Sequence, residues 1–228
     1  MMWAWALFPI LLMITAAGGF WTVFGMAVVN GAVNLTVEFP YISTCGAYPP
    51  QSCLFSQVMN IGAFLVTWVC VIRYQQIRDL GCHSHLNTVS LVTGCLSALG
   101  ATLVGNFQTI AEIHVHLAGA FLSFFIGTLY FWLQVGLTYQ VKPRHGGKWC
   151  GPVRIICCLA CTASLASMLW LHVSGMRSAA AICEWVAGMV LLLLFGLFAV
   201  DFRHVDGHYF HVQRNPVVIQ NSTTTLEL

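Results

Sequence analysis

The sequence predicts an all-α fold: a polytopic six-helix transmembrane bundle with short loops and both termini in the cytosol. Three observations predict it. Of 228 residues, 58% are hydrophobic and only 7% charged. A soluble domain carries about a quarter of its residues as charges, so a globule of this composition lacks the polar groups to cover its surface. Six stretches are long and apolar enough to cross about 30 Å of hydrocarbon at about 1.5 Å per helical residue. Eight of the nine Lys and Arg residues fall on one side of the resulting topology, and only Arg177 falls on the other. The positive-inside rule places the basic side in the cytosol.

The spans are read as 3–29, 54–72, 86–105, 115–139, 155–173 and 179–200, giving a membrane domain over 1–202 and a cytosolic tail over 203–228 that is expected to be disordered. The first span has no basic n-region, although Ala16-Ala17-Gly18 is similar to a signal cleavage site. Its uncharged run exceeds a usual signal core, and we read it as a retained helix. Arg73 and Arg78 follow the second span, Lys142, Arg144, Lys148 and Arg154 the fourth, and Arg203 and Arg214 the sixth. No span alternates polar and apolar residues as a membrane barrel strand does. No basic stripe suggests nucleic acid as a partner.

The loop after the first span faces the lumen or the outside, an oxidising compartment. Its segment "CGAYPPQSC" places Cys45 and Cys53 around Pro49-Pro50. The prolines stiffen a reversal, and a Cys45–Cys53 disulfide is expected to clamp the loop against the second and third spans. Two free thiols are the alternative, and Cys183 is a third luminal candidate. Asn34-Leu35-Thr36 is a glycosylation sequon on the same side, whereas the sequon at Asn221 falls in the cytosol.

In the third span Ser97, Ala101 and Gly105 recur at four-residue spacing, and in the fourth Gly119, Ser123 and Gly127 do the same. Small residues at this spacing let membrane helices approach closely, so an antiparallel hairpin of these two spans is expected; such residues are also common in membrane helices generally. Asn60, Asn106, Gln108 and Glu112 collect near the luminal boundary as a polar cluster, read as helix-pairing glue or as a luminal pocket. Glu184 is the one acidic residue inside an assigned span, and Arg177 is its expected partner.

Cys157, Cys158 and Cys161 open the fifth span beside Arg154 and are candidates for palmitoylation, or else small packing residues. His114 and His116 do not share a helix face. His204, His208 and His211 beside Asp201 and Asp206 form a conceivable but weak zinc pattern. The final Leu226-Glu227-Leu228 could fit a strand-adding pocket. No catalytic, cofactor-binding or metal site is assigned, because no nucleophile–base pairing, phosphate loop or filter-like motif is present.

"FPYISTCGAYPPQSCLFSQVMNIGAF", "VGNFQ", "HLAGAFLSFF", "LYFWLQ" and "CEWVAGMVLLLLFGLFAVDF" resemble the transmembrane protein 150 group of the damage-regulated autophagy modulator (DRAM) family. The resemblance runs from the first span through the sixth, and "HLAGAFL" with the short luminal loop is most similar to its type B members. It implies a multi-pass protein of plasma, endosomal and autophagosomal membranes. The implied role is to promote macroautophagy and cell survival under nutrient stress, through cytosolic or membrane protein partners that the resemblance does not identify, and not by catalysis. Sister members suggest two other readings. One is a plasma-membrane scaffold for a phosphoinositide kinase complex, for which the basic loop 142–154 is the handle. The other is a mechanosensitive channel or channel modulator.

Overall fold

A computed structural model of the protein describes residues 4–141, 147–203 and 205. The described residues are helical, with α1 over Leu7–Val29, the short luminal α2 over Ile42–Cys45, α3 over Gln51–Asp79 and α4 over His85–Asn106. The fourth span is α5 over Ile113–Phe121, a π-helical turn at Leu122–Ile126 and α6 over Gly127–Gln140. Helix α7 covers Gly147–Val173, α8 Arg177–Gly196 and α9 Phe198–Phe202. Six helical stretches have the length and apolarity to cross a membrane.

Each span packs on its neighbours in sequence, and α8 returns to pack on α1, so the bundle closes on itself in chain order. Short connections enforce this. Helices α1, α3 and α7 each end on a glycine in the left-handed region: Gly31 at φ +69°, Gly81 at +78° and Gly175 at +80°. At each, the next residue's N–H reaches back to the helix: Ala32 to Ala27, Cys82 to Ile77 and Met176 to Leu171, at 2.9–3.2 Å. These bonds satisfy last-turn carbonyls that hydrocarbon could not solvate. Helix α4 starts on Ser84, whose Oγ accepts from the Leu86 N–H at 3.1 Å.

The core is aromatic along much of its length. Tyr130, Phe131, Phe195, Phe198 and Phe202 stack at one end, and Val23, Ile42, Phe55 and Trp185 fill the other. The α4–α5 seam is as close as the small residues predict, but its register differs. Ser97 Oγ donates to the Ser123 carbonyl at 3.2 Å, and a Cβ on Gly127 would lie 2.8 Å from Ser97 Oγ. The point of closest approach is Gly100 on Gly119: a Cβ on Gly100 would sit 2.6 Å from the Gly119 carbonyl oxygen. Gly105 turns instead to Met59 of α3, where a Cβ would meet that side chain at 2.6 Å. A four-residue step overshoots a 3.6-residue turn, so the stripe 97–101–105 drifts off the seam, which continues through 97, 100 and 104.

The helices also outrun the apolar runs. α3 continues past Ile72 to Asp79, α7 begins before Ile155, and α9 carries the sixth span to Phe202. A charge ends an apolar count but not a helix, and this places Arg73, Arg154 and Asp201 within the bundle.

Candidate functional site: a buried charge cluster at the basic end

Arg73 of α3, Arg154 of α7 and Asp201 of α9 converge where the sequence suggested loops. Their side chains are 5%, 0% and 5% exposed, so these ions have left both water and lipid headgroups. Asp201 Oδ2 accepts from Arg154 Nη2 at 2.7 Å, and Oδ1 lies 3.5 Å from Arg73 Nη1. Arg73 also donates through Nε to Gln134 Oε1 at 3.0 Å and through Nη1 to Gln76 Oε1 at 2.7 Å. Gln134 passes a bond on to Ser90 Oγ at 2.7 Å, and Gln76 donates to the Asp201 carbonyl at 2.6 Å. Arg154 Nη1 donates to Thr138 Oγ1 at 2.5 Å. Both guanidiniums lie over the Phe198 ring, at 5.7 Å and 5.0 Å from its centre.

The network joins α3, α4, α6, α7 and α9 at one end of the bundle. Among the described residues, two guanidiniums and one carboxylate leave a formal charge of +1 in a desolvated site, and Arg154 Nε has no hydrogen-bond partner. Burying such ions is costly unless each is paired, so the cluster demands one arrangement of these helices and penalises others. It is a latch: the carboxylate uses both oxygens on cations. Arg154 therefore does not belong to an exposed basic loop. Of that loop's other charges, Lys142 and Arg144 lie outside the described residues.

The luminal end is built around Glu184. Its carboxylate, on the inward face of α8, accepts the Ile42 N–H at 2.9 Å and so caps α2. Arg177 is not its partner. Seven residues separate them, about two turns or 10 Å of rise, and Arg177 instead meets Glu38 at 3.5 Å on the surface. Trp185 Nε1 donates to the Pro40 carbonyl at 3.1 Å, and the Phe39 N–H to Ser178 Oγ at 3.0 Å. Tyr41 Oη and His172 Nδ1 are 2.8 Å apart. Asn30 Nδ2 donates to Gln51 Oε1 at 3.2 Å, tying the loop's start to α3. The luminal loop is thus docked on α8, α1 and the start of α3, not on the second and third spans alone.

Hydrogen bonds hold this docking, and Cys45 and Cys53 are not bridged in the structure. Cys45 is buried, with Sγ on the Tyr41 carbonyl at 3.3 Å, whereas Cys53 is exposed on α3. Burial, with the Glu184 carboxylate adding to it, pushes the Cys45 thiol up to about 12. The same two causes raise Tyr41. Asn34 is exposed, its Oδ1 accepting from the Thr36 N–H at 3.0 Å and from Thr36 Oγ1 at 2.7 Å.

Two of the four polar-cluster residues come together. Asn60 Nδ2 donates to Asn106 Oδ1 at 2.9 Å, and Ser56 Oγ donates to the same oxygen at 3.0 Å. Gln108 and Glu112 shape the α4–α5 turn through their backbones: the Gln108 carbonyl accepts from the Ala111 and Glu112 N–H groups. Buried His116 approaches the Phe107 carbonyl at 2.7 Å. Cys158 and Cys161 lie in the core, out of reach of acylation, and only Cys157 is partly exposed. Among the described residues no His, Cys, Asp and Glu group could hold a metal ion. His204, His208, His211, Asp206, Asn221 and the C-terminal Leu226-Glu227-Leu228 lie outside the described residues.

The Arg–Asp–Arg cluster escaped sequence reasoning because a charge at the edge of an apolar run reads as loop. Its traces were Gln134 and Ser90, polar residues inside assigned spans, and Asp201 directly after Val200.

The model of the Frag1/DRAM/Sfk1/Cwh43P N-terminal domain matches residues 4–205. The chain is 57% identical to "Modulator of macroautophagy TMEM150B-B" of Xenopus laevis over all of both chains. It is 48% identical to "Modulator of macroautophagy TMEM150B" of Homo sapiens, over 94% of this chain and 93% of that one. "Transmembrane protein 150A" of Xenopus laevis is 34% identical over 90% of this chain and 86% of its own. No solved structure matches.

Proposed function

The chain belongs to the Frag1/DRAM/Sfk1/Cwh43P family, and from that premise we propose that it is a type B member that promotes macroautophagy and cell survival under nutrient stress. It acts in plasma, endosomal and autophagosomal membranes, through protein partners and not by catalysis. The observation that carries this reading is the end-to-end identity with relatives named modulators of macroautophagy, 57% over the whole of both chains. A bundle latched at one end and strapped at the other supports a protein that presents loops to partners from a rigid frame. The phosphoinositide-kinase reading loses one of the four charges of its basic loop, since Arg154 is buried.

The test is autophagic flux: turnover of a lipidated autophagosome marker, with and without a lysosomal blocker, in starved cells expressing or lacking the chain. Flux should rise on expression and fall on loss. If neither changes it, the reading fails.

A further inference from the structure

The seam between α3 and α4 carries a groove of about 640 Å³ on the membrane-facing side of the bundle, within the size range of lipid-like small-molecule sites. On α3 it follows one stripe from Asn60 to Val71, and on antiparallel α4 a matching stripe from Cys95 to Thr102. The eleven steps from Asn60 to Val71 rise about 16 Å, the scale of a fused-ring lipid lying along the membrane normal. The floor is flat because Ala63 and Ala98 are small and buried, and the walls stand up because Phe64 and Leu99 are 60% and 50% exposed. Trp68 meets Phe64 edge-on, with centroids 6.3 Å apart, and stiffens that wall.

The groove is polar at one end only. Beyond Asn60, the next α4 residue on the stripe is Asn106, and the two carboxamides pair there. Their second bond is long, Asn106 Nδ2 to Asn60 Oδ1 at 3.4 Å. The pair therefore retains an under-used acceptor and an under-used donor, the complement of a single hydroxyl, which both donates and accepts. Along the groove Thr67 turns its hydroxyl back onto the Ala63 carbonyl at 2.9 Å. Among the described residues no charged side chain lines it, so a phosphate headgroup finds no counter-charge there. By the charge asymmetry of the loops, the carboxamides sit at the luminal boundary, the depth of a lipid hydroxyl.

We propose that the α3–α4 groove binds a sterol of the luminal leaflet, with its hydroxyl on the Asn60–Asn106 pair and its ring face on Ala63 and Ala98. A flat, rigid lipid with one small neutral head matches the floor, the length and the polar cap together.

The experiment uses the full chain in phosphatidylcholine vesicles containing a diazirine-bearing cholesterol analogue, with peptide mapping after irradiation. Label is expected on α3 and α4 and should be competed by unlabelled cholesterol. Thr102→Trp, which fills the groove, should abolish it. Leu117→Trp, on the exposed face of α5, should not. Asn60→Leu should weaken competition about fivefold, the loss of one neutral hydrogen bond. Phe64→Ala, which removes an exposed wall, serves if Thr102→Trp does not fold. The proposal is overturned if label persists in a folded groove-filling variant. It is also overturned if a photoreactive diacyl lipid labels the same peptides without competition by cholesterol, or if crosslinks between two copies through α3 and α4 replace lipid label.

Discussion

Asp201 is the residue on which the basic end turns. Its carboxylate neutralises one of two buried guanidiniums and touches both. Replacing it by Asn leaves like charges facing each other without water, and breaking a buried pair in this way costs about 3–5 kcal/mol. Asp201→Asn should show that loss in reversible unfolding in mixed micelles. Adding Arg73→Met should recover part of it, because the residual cluster then holds one cation fewer. A second residue-scale test concerns the luminal thiols. Cys53 is exposed, while Cys45 is buried and held as a neutral thiol by burial and the nearby Glu184 carboxylate. An impermeant maleimide at pH 7 should label Cys53 on intact cells and reach Cys45 only after denaturation. Failure of Cys53 to label before reduction would restore the Cys45–Cys53 bridge.

At the scale of elements, the α4–α5 contact and the docked luminal loop are the two assemblies most exposed to single changes. A Cβ on Gly100 would lie 2.6 Å from the backbone nitrogen of Ser123 as well as from the Gly119 carbonyl oxygen. Backbone cannot swing aside as a side chain can, so Gly100→Ala should cost about 1–3 kcal/mol. Gly18→Ala on α1 meets nothing within 4 Å and should be neutral or slightly stabilising through helix propensity. Parallel melting curves in detergent separate the two. The hairpin itself was legible from small residues at regular spacing. Gly100 was not, because a four-residue repeat names a stripe while contact follows the 3.6-residue turn. The loop tells a similar story. "CGAYPPQSC" announced a constrained turn, but only the fold brings Glu184 to the Ile42 N–H across 142 positions of sequence.

For the whole molecule, the loop charges predict the orientation of the bundle and with it which sequon meets the glycosylation machinery. Asn34 is luminal and exposed, with its side chain hydrogen-bonded to Thr36, so it should carry an endoglycosidase-sensitive glycan. Asn34→Gln should remove the corresponding gel shift, and Asn221→Gln should change nothing. A shift that survives Asn34→Gln and disappears with Asn221→Gln would invert the topology. The same frame organises the functional surfaces. The basic end is latched by buried ions, the luminal end is strapped by a hydrogen-bonded loop, and the lipid-facing α3–α4 seam lies between them.

By itself the sequence determined the class and the number of spans, and its loop charges predict their orientation. These follow from composition, apolar length and charge asymmetry, which are sums along the chain and do not depend on which helix touches which. Only the tertiary structure decided that Arg73 and Arg154 share Asp201, that Glu184 caps α2, and that Asn60 closes one end of a groove with Asn106. Each of these is a meeting of polar groups from distant spans. In a membrane such groups must find partners inside the protein, and the partner chosen depends on helix rotation and register that no local pattern encodes.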